Sequence, residues 1–224
     1  MFWRVYARCY DLLWDTPRSA MLGRRVADRV PTDMEVWEVG SGTGIITRNL
    51  RDSAAGIVQA HEPVAAMSRR CRRRVPEANH TGCSIQDLRP DGKARTVVAV
   101  NVLHMLADPL AAAHHLQELA GEGGRVVIVS PGPDTTLVAV ARAHRRSWTS
   151  PAHGAIWHLR FVLIHCLLAP LTAAAGMELS RARLTDIAGL GPAARLDDLL
   201  LIELPGLAGP LCGSGRPNVG SWSG

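Results

Sequence analysis

The segment V36-W-E-V-G-S-G-T-G44 constrains this chain more than any other, because an apolar run meets a glycine-rich turn directly before a helical stretch. Met34–Val39 is short and apolar and ends in glycine, the pattern of a buried strand. Gly40 permits a tight turn, and Gly42 and Gly44 let backbone approach a ligand with no Cβ in the way. An acid, Glu62, follows 22 positions after Gly40 at the end of the next apolar run, Gly56–His61. Nucleotide-binding α/β folds hold ribose hydroxyls with an acid so placed. A dinucleotide fingerprint would need glycine at position 45, which is Ile45, and no Gly-Lys-Ser/Thr ending marks an ATP-binding phosphate loop. The spacing therefore disfavours NAD, FAD and ATP. A tight strand-to-helix turn with no ligand is the plainer alternative.

Around this segment the periodicity alternates. Residues 2–14 and 18–29 carry helix-spaced apolar positions, with Pro17 starting the second stretch and Pro31 stopping it. Ile45–Arg51 reads as a helix, as does a stretch from Pro63 to about Val75. Thr81–Ile85, Thr96–Val100 and Arg125–Val129 read as strands, the last two apolar enough to be covered on both faces. Asp108 caps a helix through Ala120 that Gly121 ends. Beyond Pro131-Gly132-Pro133 a helix is predicted over Thr135–Arg146, a polar turn over Ser147–Gly154 and a long apolar helix, bent at Pro170, over Ile156–Ala175. Two edge strands, Met177–Leu184 and Leu200–Leu204, are expected to pair antiparallel. The predicted fold class is α/β: a doubly wound sheet of seven strands, mostly parallel with an antiparallel edge, and helices on both faces. The expected division is a helical cap over 1–31, a body over 32–205 with a lid at 135–175, and a flexible tail over 206–224.

Composition excludes more than it proposes. At 47% hydrophobic and 20% charged, the chain is that of a globular protein, not a disordered one. The net charge of +5 comes almost entirely from arginine, Lys93 being the one lysine, and with the heavy use of alanine this reads as coding bias ahead of a polyanion partner. Cys9, Cys71, Cys83, Cys166 and Cys212 are odd in number and show no CxxC spacing, so neither a disulfide framework nor a zinc site is indicated. Arg4, Arg8 and Asp11 break the N-terminal apolar run that a secretory signal would need. Phe161–Gly176 is too short to span a bilayer. The expected location is the cytoplasm.

Residues 34–130 resemble the class I S-adenosylmethionine (SAM)-dependent methyltransferases, in the branch acting on small molecules and lipids. EVGSGTG is similar to that family's first motif, H61-E-P to the second, Q86-D87-L88 to the third, V100-N-V-L-H-M105 to the segment after the fourth strand, and L116-x-E-L-x3-G123-G-R-V-V-I128 to the approach to the fifth. The resemblance implies a Rossmann-like fold and SAM as cofactor, with S-adenosylhomocysteine (SAH) as product. Carried over position by position, it implies cofactor contacts at Tyr10, Glu38, Gly40, Ser41, Gly42, Gly44, Glu62, Pro63, Met67, Asp87, Leu88, Asn101 and Val102. Glu62 would take the ribose diol, Asp87 the adenine amino group, and Asn101 the methionine end, while Glu38 would orient the glycine loop. His104 and His144 are the candidate bases, and no metal is implied. Plainer roles stand beside these: Glu62 as a helix cap, Asp87 as a turn residue, His104 as structural, and Tyr6 and Tyr10 as a buried stripe.

The run Arg69, Arg70, Arg72, Arg73, Arg74 reads first as a solvated helix face, with nucleic acid or an anionic membrane as the alternative. His144, Trp148, His153, Trp157, His158 and His165 fall in the lid, at spacings unlike a metal site. Methylation of a small, largely apolar metabolite is the first expectation. A phospholipid amine N-methyltransferase, with peripheral membrane contact, is the second. A SAM-fold protein that binds without transfer, as a cyclase or binding partner, is the third.

Overall fold

The computed structural model describes residues 2–32, 34–53, 56–93, 95–174 and 180–208. Two helices open the chain, α1 (Phe2–Trp14) and α2 (Pro17–Ala27). Thr16 separates them because its hydroxyl accepts from Ser19 N–H (3.3 Å) and Pro17 suits the first helical turn. Then β1 (Val36–Val39), α3 (Ile45–Ser53), β2 (Val58–His61), α4 (Ala65–Arg74), β3 (Asn79–Thr81), β4 (Thr96–Val100), α5 (Pro109–Ala120) and β5 (Arg125–Pro131) alternate as the periodicity predicts. Asp108 caps α5 through Ala111 N–H (2.9 Å), and Gly121, at φ 69°, ends it.

The sheet order is β3-β2-β1-β4-β5, followed by β7 (Leu199–Pro205) and β6 (Ala193–Leu196). The first five are parallel, whereas β7 is antiparallel to both β5 and β6. This is the expected mixed, doubly wound sheet. Val97, Val98, Val127 and Ile128 are fully buried, as strands covered on both faces require. One apolar cluster joins the sheet to α5 and to α8 (Arg181–Ala188), and another joins it to α2 and α3. After β1 the chain winds outward to β2 and β3, and it returns to the other side of β1 at β4. The β1/β4 seam is therefore the switch point, where open sheets of this type leave a crevice at the strands' carboxyl ends.

Four expectations are corrected. The third strand is Asn79–Thr81, not Thr81–Ile85: Ser84–Asp87 forms a turn, held where Asp87 Oδ2 accepts from Ser84 N–H (3.0 Å), and Ile85 drops from it into the core. Arg181–Leu184 is not strand but the start of α8, capped by Ser180, because Leu184 and Ile187 share its buried face at helical spacing; 177–179 lie outside the described residues. The partner of β7 is instead β6, an Ala- and Arg-containing edge strand without apolar alternation, joined to it by a tight turn with Asp197 at φ 56°. The predicted polar turn gives way at Pro151, where helix α7 (Pro151–Ala174) starts after α6 (Leu137–Arg146), with Ser150 Oγ accepting from His153 N–H (3.5 Å). Of the predicted tail, 209–224 lie outside the described residues.

Candidate active site

The turn after β1 is sewn to the end of β2 by backbone. Gly40 and Ser41 N–H both donate to His61 C=O (2.9 and 3.2 Å), and Gly42 N–H donates to Glu62 Oε2 (2.8 Å). The glycines do different work. A Cβ on Gly40 would lie 2.4 Å from Val102 Cγ2, and one on Gly44 2.9 Å from Cys71 Sγ, so these two let neighbouring elements close in. A Cβ on Gly42 would meet only Tyr10 Oη, at 3.9 Å, so here the chain leaves room above the loop.

Glu62 is buried, and its other oxygen accepts from Val64 N–H (2.8 Å), so the carboxylate ties the chain entering α4 to the loop. Pro63 consequently precedes the helix instead of opening it. Burial raises the Glu62 pKa, opposed by the two backbone donors. Glu38, at the end of β1, is buried and accepts from Thr47 Oγ1 on α3 (2.5 Å). Burial, assisted by the nearby Glu62 charge, pushes Glu38 up to about 8. It stiffens the strand–turn–helix joint from below.

Across the seam, β4 is followed by Asn101, which adopts φ 56° and leaves its side-chain Oδ1 buried without a partner. Buried polar atoms are normally hydrogen-bonded, so an orphan at a ligand crevice marks a place where something else binds. His104 follows in a 3-10 turn, Leu103–Met105, and its Nδ1 is likewise buried without a partner. Burial, with the Arg183 charge, lowers this imidazole to about 4, so it is neutral at pH 7. Ser41 is buried within the loop, and Met67, Leu88 and Val102 are buried as well. Asp87 is exposed and accepts from Ser84 Oγ (2.6 Å) as well as Ser84 N–H.

The second candidate base, His144, sits elsewhere. Its Nδ1 bonds to Thr16 Oγ1 (2.8 Å), and its ring stacks on Trp157 (5.4 Å) and meets Trp14 edge-on (5.3 Å). Burial pushes it down to about 3. This ring pins the cap helices together, a packing role that the sequence spacing did not reveal.

A latch was also missed. Asp11 accepts from Thr43 Oγ1 (2.6 Å) in the glycine loop and pairs with Arg70 (3.0 Å) and Arg74 (3.3 Å) of α4; Arg74 reaches Asp15 as well (2.9 Å). It holds α1, and with it Tyr10, over the loop. The available signal was the matched i,i+4 spacing of Asp11/Asp15 and Arg70/Arg74. So the arginine run is not wholly a solvated face: Arg72 bonds to His80 C=O (2.9 Å), and only Arg69 and Arg73 remain exposed with no such contact described. Among the described residues, no group of three His, Cys, Asp or Glu is placed to hold a metal ion.

Residues 16–171 match a family model described as a methyltransferase domain. No curated protein matches the chain. Its fold is similar to that of a Methanococcus maripaludis protein assigned to the S-adenosyl-L-methionine-dependent methyltransferases, at 12% identity and TM-score 0.61 over 92% of this chain and 94% of that one. It is also similar to DesVI of Streptomyces venezuelae, at 25% identity and TM-score 0.50 over 58% of this chain and 60% of DesVI. A weaker likeness is to DhpI in complex with SAH, at 25% identity and TM-score 0.48 over 58% and 66% of the two chains. The chain spans between 57% and 60% of the length of several solved relatives, DesVI among them. With well over half of its residues matched by the model, the chain belongs to the Methyltransf_23 family of methyltransferase domains.

Proposed function

We propose that the chain binds SAM in the β1/β4 crevice and transfers its methyl group to a small, largely apolar acceptor. The observation that carries this reading is the Glu62 carboxylate, buried at the loop and tied to it through Gly42 N–H, opposite the orphaned Asn101 Oδ1 beyond β4. Each carboxylate oxygen has a second lone pair, so Glu62 can accept from two ribose hydroxyls without giving up its backbone donors. Asn101 Oδ1 is an acceptor suited to the α-amino group. The carboxylate's charge also favours a cationic ligand, which suits a sulfonium better than a pyrophosphate.

When bound, the cofactor supplies an electrophilic methyl whose leaving group is a neutral thioether. The chain's part is then to bind, align and keep water out. The glycine loop and Glu62 hold the adenosyl end. Tyr10, on the latched α1, covers the loop. His104 offers a neutral imidazole with an unpartnered Nδ1, able to take a proton from a hydroxyl or amine acceptor. His144 is already committed to Thr16 and the tryptophans, so the base falls to His104.

A phospholipid amine is the second reading of the acceptor, favoured by the outward apolar side chains of α7, Leu159 and Leu167 among them. The test is incubation with methyl-labelled SAM and a cell extract, followed by separation into aqueous metabolites, lipids, protein and nucleic acid. Label in an apolar metabolite supports the first reading, and label in phospholipid the second. SAM binding with no labelled product in any fraction overturns both.

A further inference from the structure

We propose that the outward face of α6 and α7 is a docking surface for an anionic phospholipid bilayer. Helix α7 has two apolar faces, and the fold uses one. Trp157, Phe161 and Leu168 are buried, Trp157 donating from Nε1 to Leu13 C=O of α1 (2.9 Å). Ile156, Leu159, Leu163 and Leu167 lie on the other face at helical spacing and are 49%, 61%, 53% and 75% exposed. On α6, Leu137 and Val138 are 48% and 66% exposed. An outward apolar surface of this kind on a folded body marks an interaction site.

The charge beside it selects the occupant. No Asp or Glu occurs between Asp134 and Glu178, whereas Arg142, Arg145, Arg146 and Arg160 are all exposed there. Between the two helices runs a groove of about 820 Å³ with Phe161 and Ala141 on its wall and the three α6 arginines at its rim. Neither α6 nor α7 carries an acid, and although Arg142 and Arg146 also share a neighbouring pocket with Asp134, Asp197 and Asp198, the apolar surface bordered by Arg145 and Arg160 is the complement of acyl chains beneath anionic headgroups. A second copy of this chain fits worse, because a twofold contact through this face would set arginine against arginine. The composition of α7 points the same way: the most apolar 18-residue window within Pro151–Pro170 has a mean hydropathy of 1.3, and only 22% of that window is buried. Its anchorage to α1 through Trp157 lays it along the body, so it meets the bilayer as an interfacial helix. The inference stands apart from methyl transfer, since lipid binding is measured without cofactor.

The test is co-sedimentation of the full chain with vesicles of equal parts phosphatidylglycerol and phosphatidylcholine, against pure phosphatidylcholine, at low and high salt. Binding to the anionic vesicles is expected, weakening with salt. The pair Arg142→Gln, Arg145→Gln should weaken it about fivefold per arginine, and the pair Leu159→Gln, Leu163→Gln roughly tenfold or more. All four side chains are exposed, so circular dichroism and SAM affinity should not move. Equal binding to neutral vesicles overturns the anionic assignment. Absence of binding at low salt overturns the proposal, as does self-association, or capture of an acidic soluble protein, that the leucine pair abolishes while vesicles are ignored.

Discussion

The glycine-loop crevice and the packing of α6 and α7 on the helical cap both bury ionisable side chains, and they differ in how those groups are partnered. In the crevice burial raises the pKa values of the carboxylates Glu38 and Glu62 and lowers that of the His104 imidazole. Where α6 packs on the cap, burial lowers the pKa of His144, while it raises those of Tyr6 and Tyr10 on α1. For folding, the consequences of Glu38 and His144 have opposite signs. Folded Glu38 keeps its proton up to about 8 where the unfolded chain releases it near 4.5, so this contribution to stability fades as pH rises through that window. Folded His144 refuses a proton down to about 3 where the unfolded chain binds one near 6.5, so its contribution fades as pH falls. The partners differ as well. His144 is satisfied inside the fold by Thr16, Trp14 and Trp157, whereas the crevice leaves Asn101 Oδ1 and His104 Nδ1 unanswered. Perturbed groups whose own polar atoms are orphaned at a crevice fit a ligand site; a perturbed group whose own ring is held by partners inside the fold fits the packing.

The largest effect that this contrast predicts is at Glu62. Glu62→Ala removes a charged acceptor for two hydroxyls and the side-chain anchor of Gly42 N–H, hydrogen bonds of about 1.5–3 kcal/mol each when one partner is charged. SAM affinity, measured by titration calorimetry, should fall about 100-fold or more. Unchanged affinity would move the cofactor out of the crevice and erase the distinction between the two regions.

His144 should behave in the reverse manner. His144→Ala opens a gap between Trp14 and Trp157 and takes one partner from the Thr16 hydroxyl, which keeps its bonds to Ser19, at a cost of about 2 kcal/mol, or roughly 4–8 °C in Tm for a domain of this size. SAM affinity and turnover, at a temperature where the variant is folded, should stay within about twofold of the parent. A proton-linked slope should vanish with the ring: between about pH 6.5 and 3 the parent loses up to about 1.4 kcal/mol per pH unit on this histidine's account, and the variant does not. Denaturant titrations across that range measure the difference. A drop in turnover as large as general-base loss brings, about 100-fold or more, with Tm intact would return His144 to the candidate bases.

Much of the crevice was legible because its residues are bound to one another by sequence spacing. A glycine turn must follow its strand, and the acid must close the next one, so Gly40, Gly42, Gly44 and Glu62 could be placed without coordinates. The parallel core was legible too, since TVVAV and RVVIV admit few environments other than burial on both faces. The cap was not. His144 meets Thr16 across 128 positions and Trp157 meets Leu13 across 144, and nothing local encodes such pairings. The far edge of the sheet failed for a different reason: Met177–Leu184 satisfies strand and helix periods alike, and the Ser180 cap decided for helix, while β6 has no apolar alternation to read.

The smallest of the three effects tests the joint between the regions. Among the described residues, Asp11 bonds the cap to the glycine loop directly, through Thr43, and also to α4 through Arg70 and Arg74. Its carboxylate is about one quarter exposed and Arg70 about one third, so the ion pairs are partly screened and each adds less than about 1 kcal/mol. Asp11→Ala should therefore lower Tm by no more than a few degrees and weaken SAM binding about three- to fivefold, because α1 still packs through Leu13 and Trp14 but no longer holds Tyr10 firmly over Gly42. The loss should shrink at high salt, where the parent's ion pairs are screened too. A loss as large as that for Glu62→Ala would make α1 a wall of the cofactor site itself, and the boundary between cap and crevice would then lie between α1 and α7.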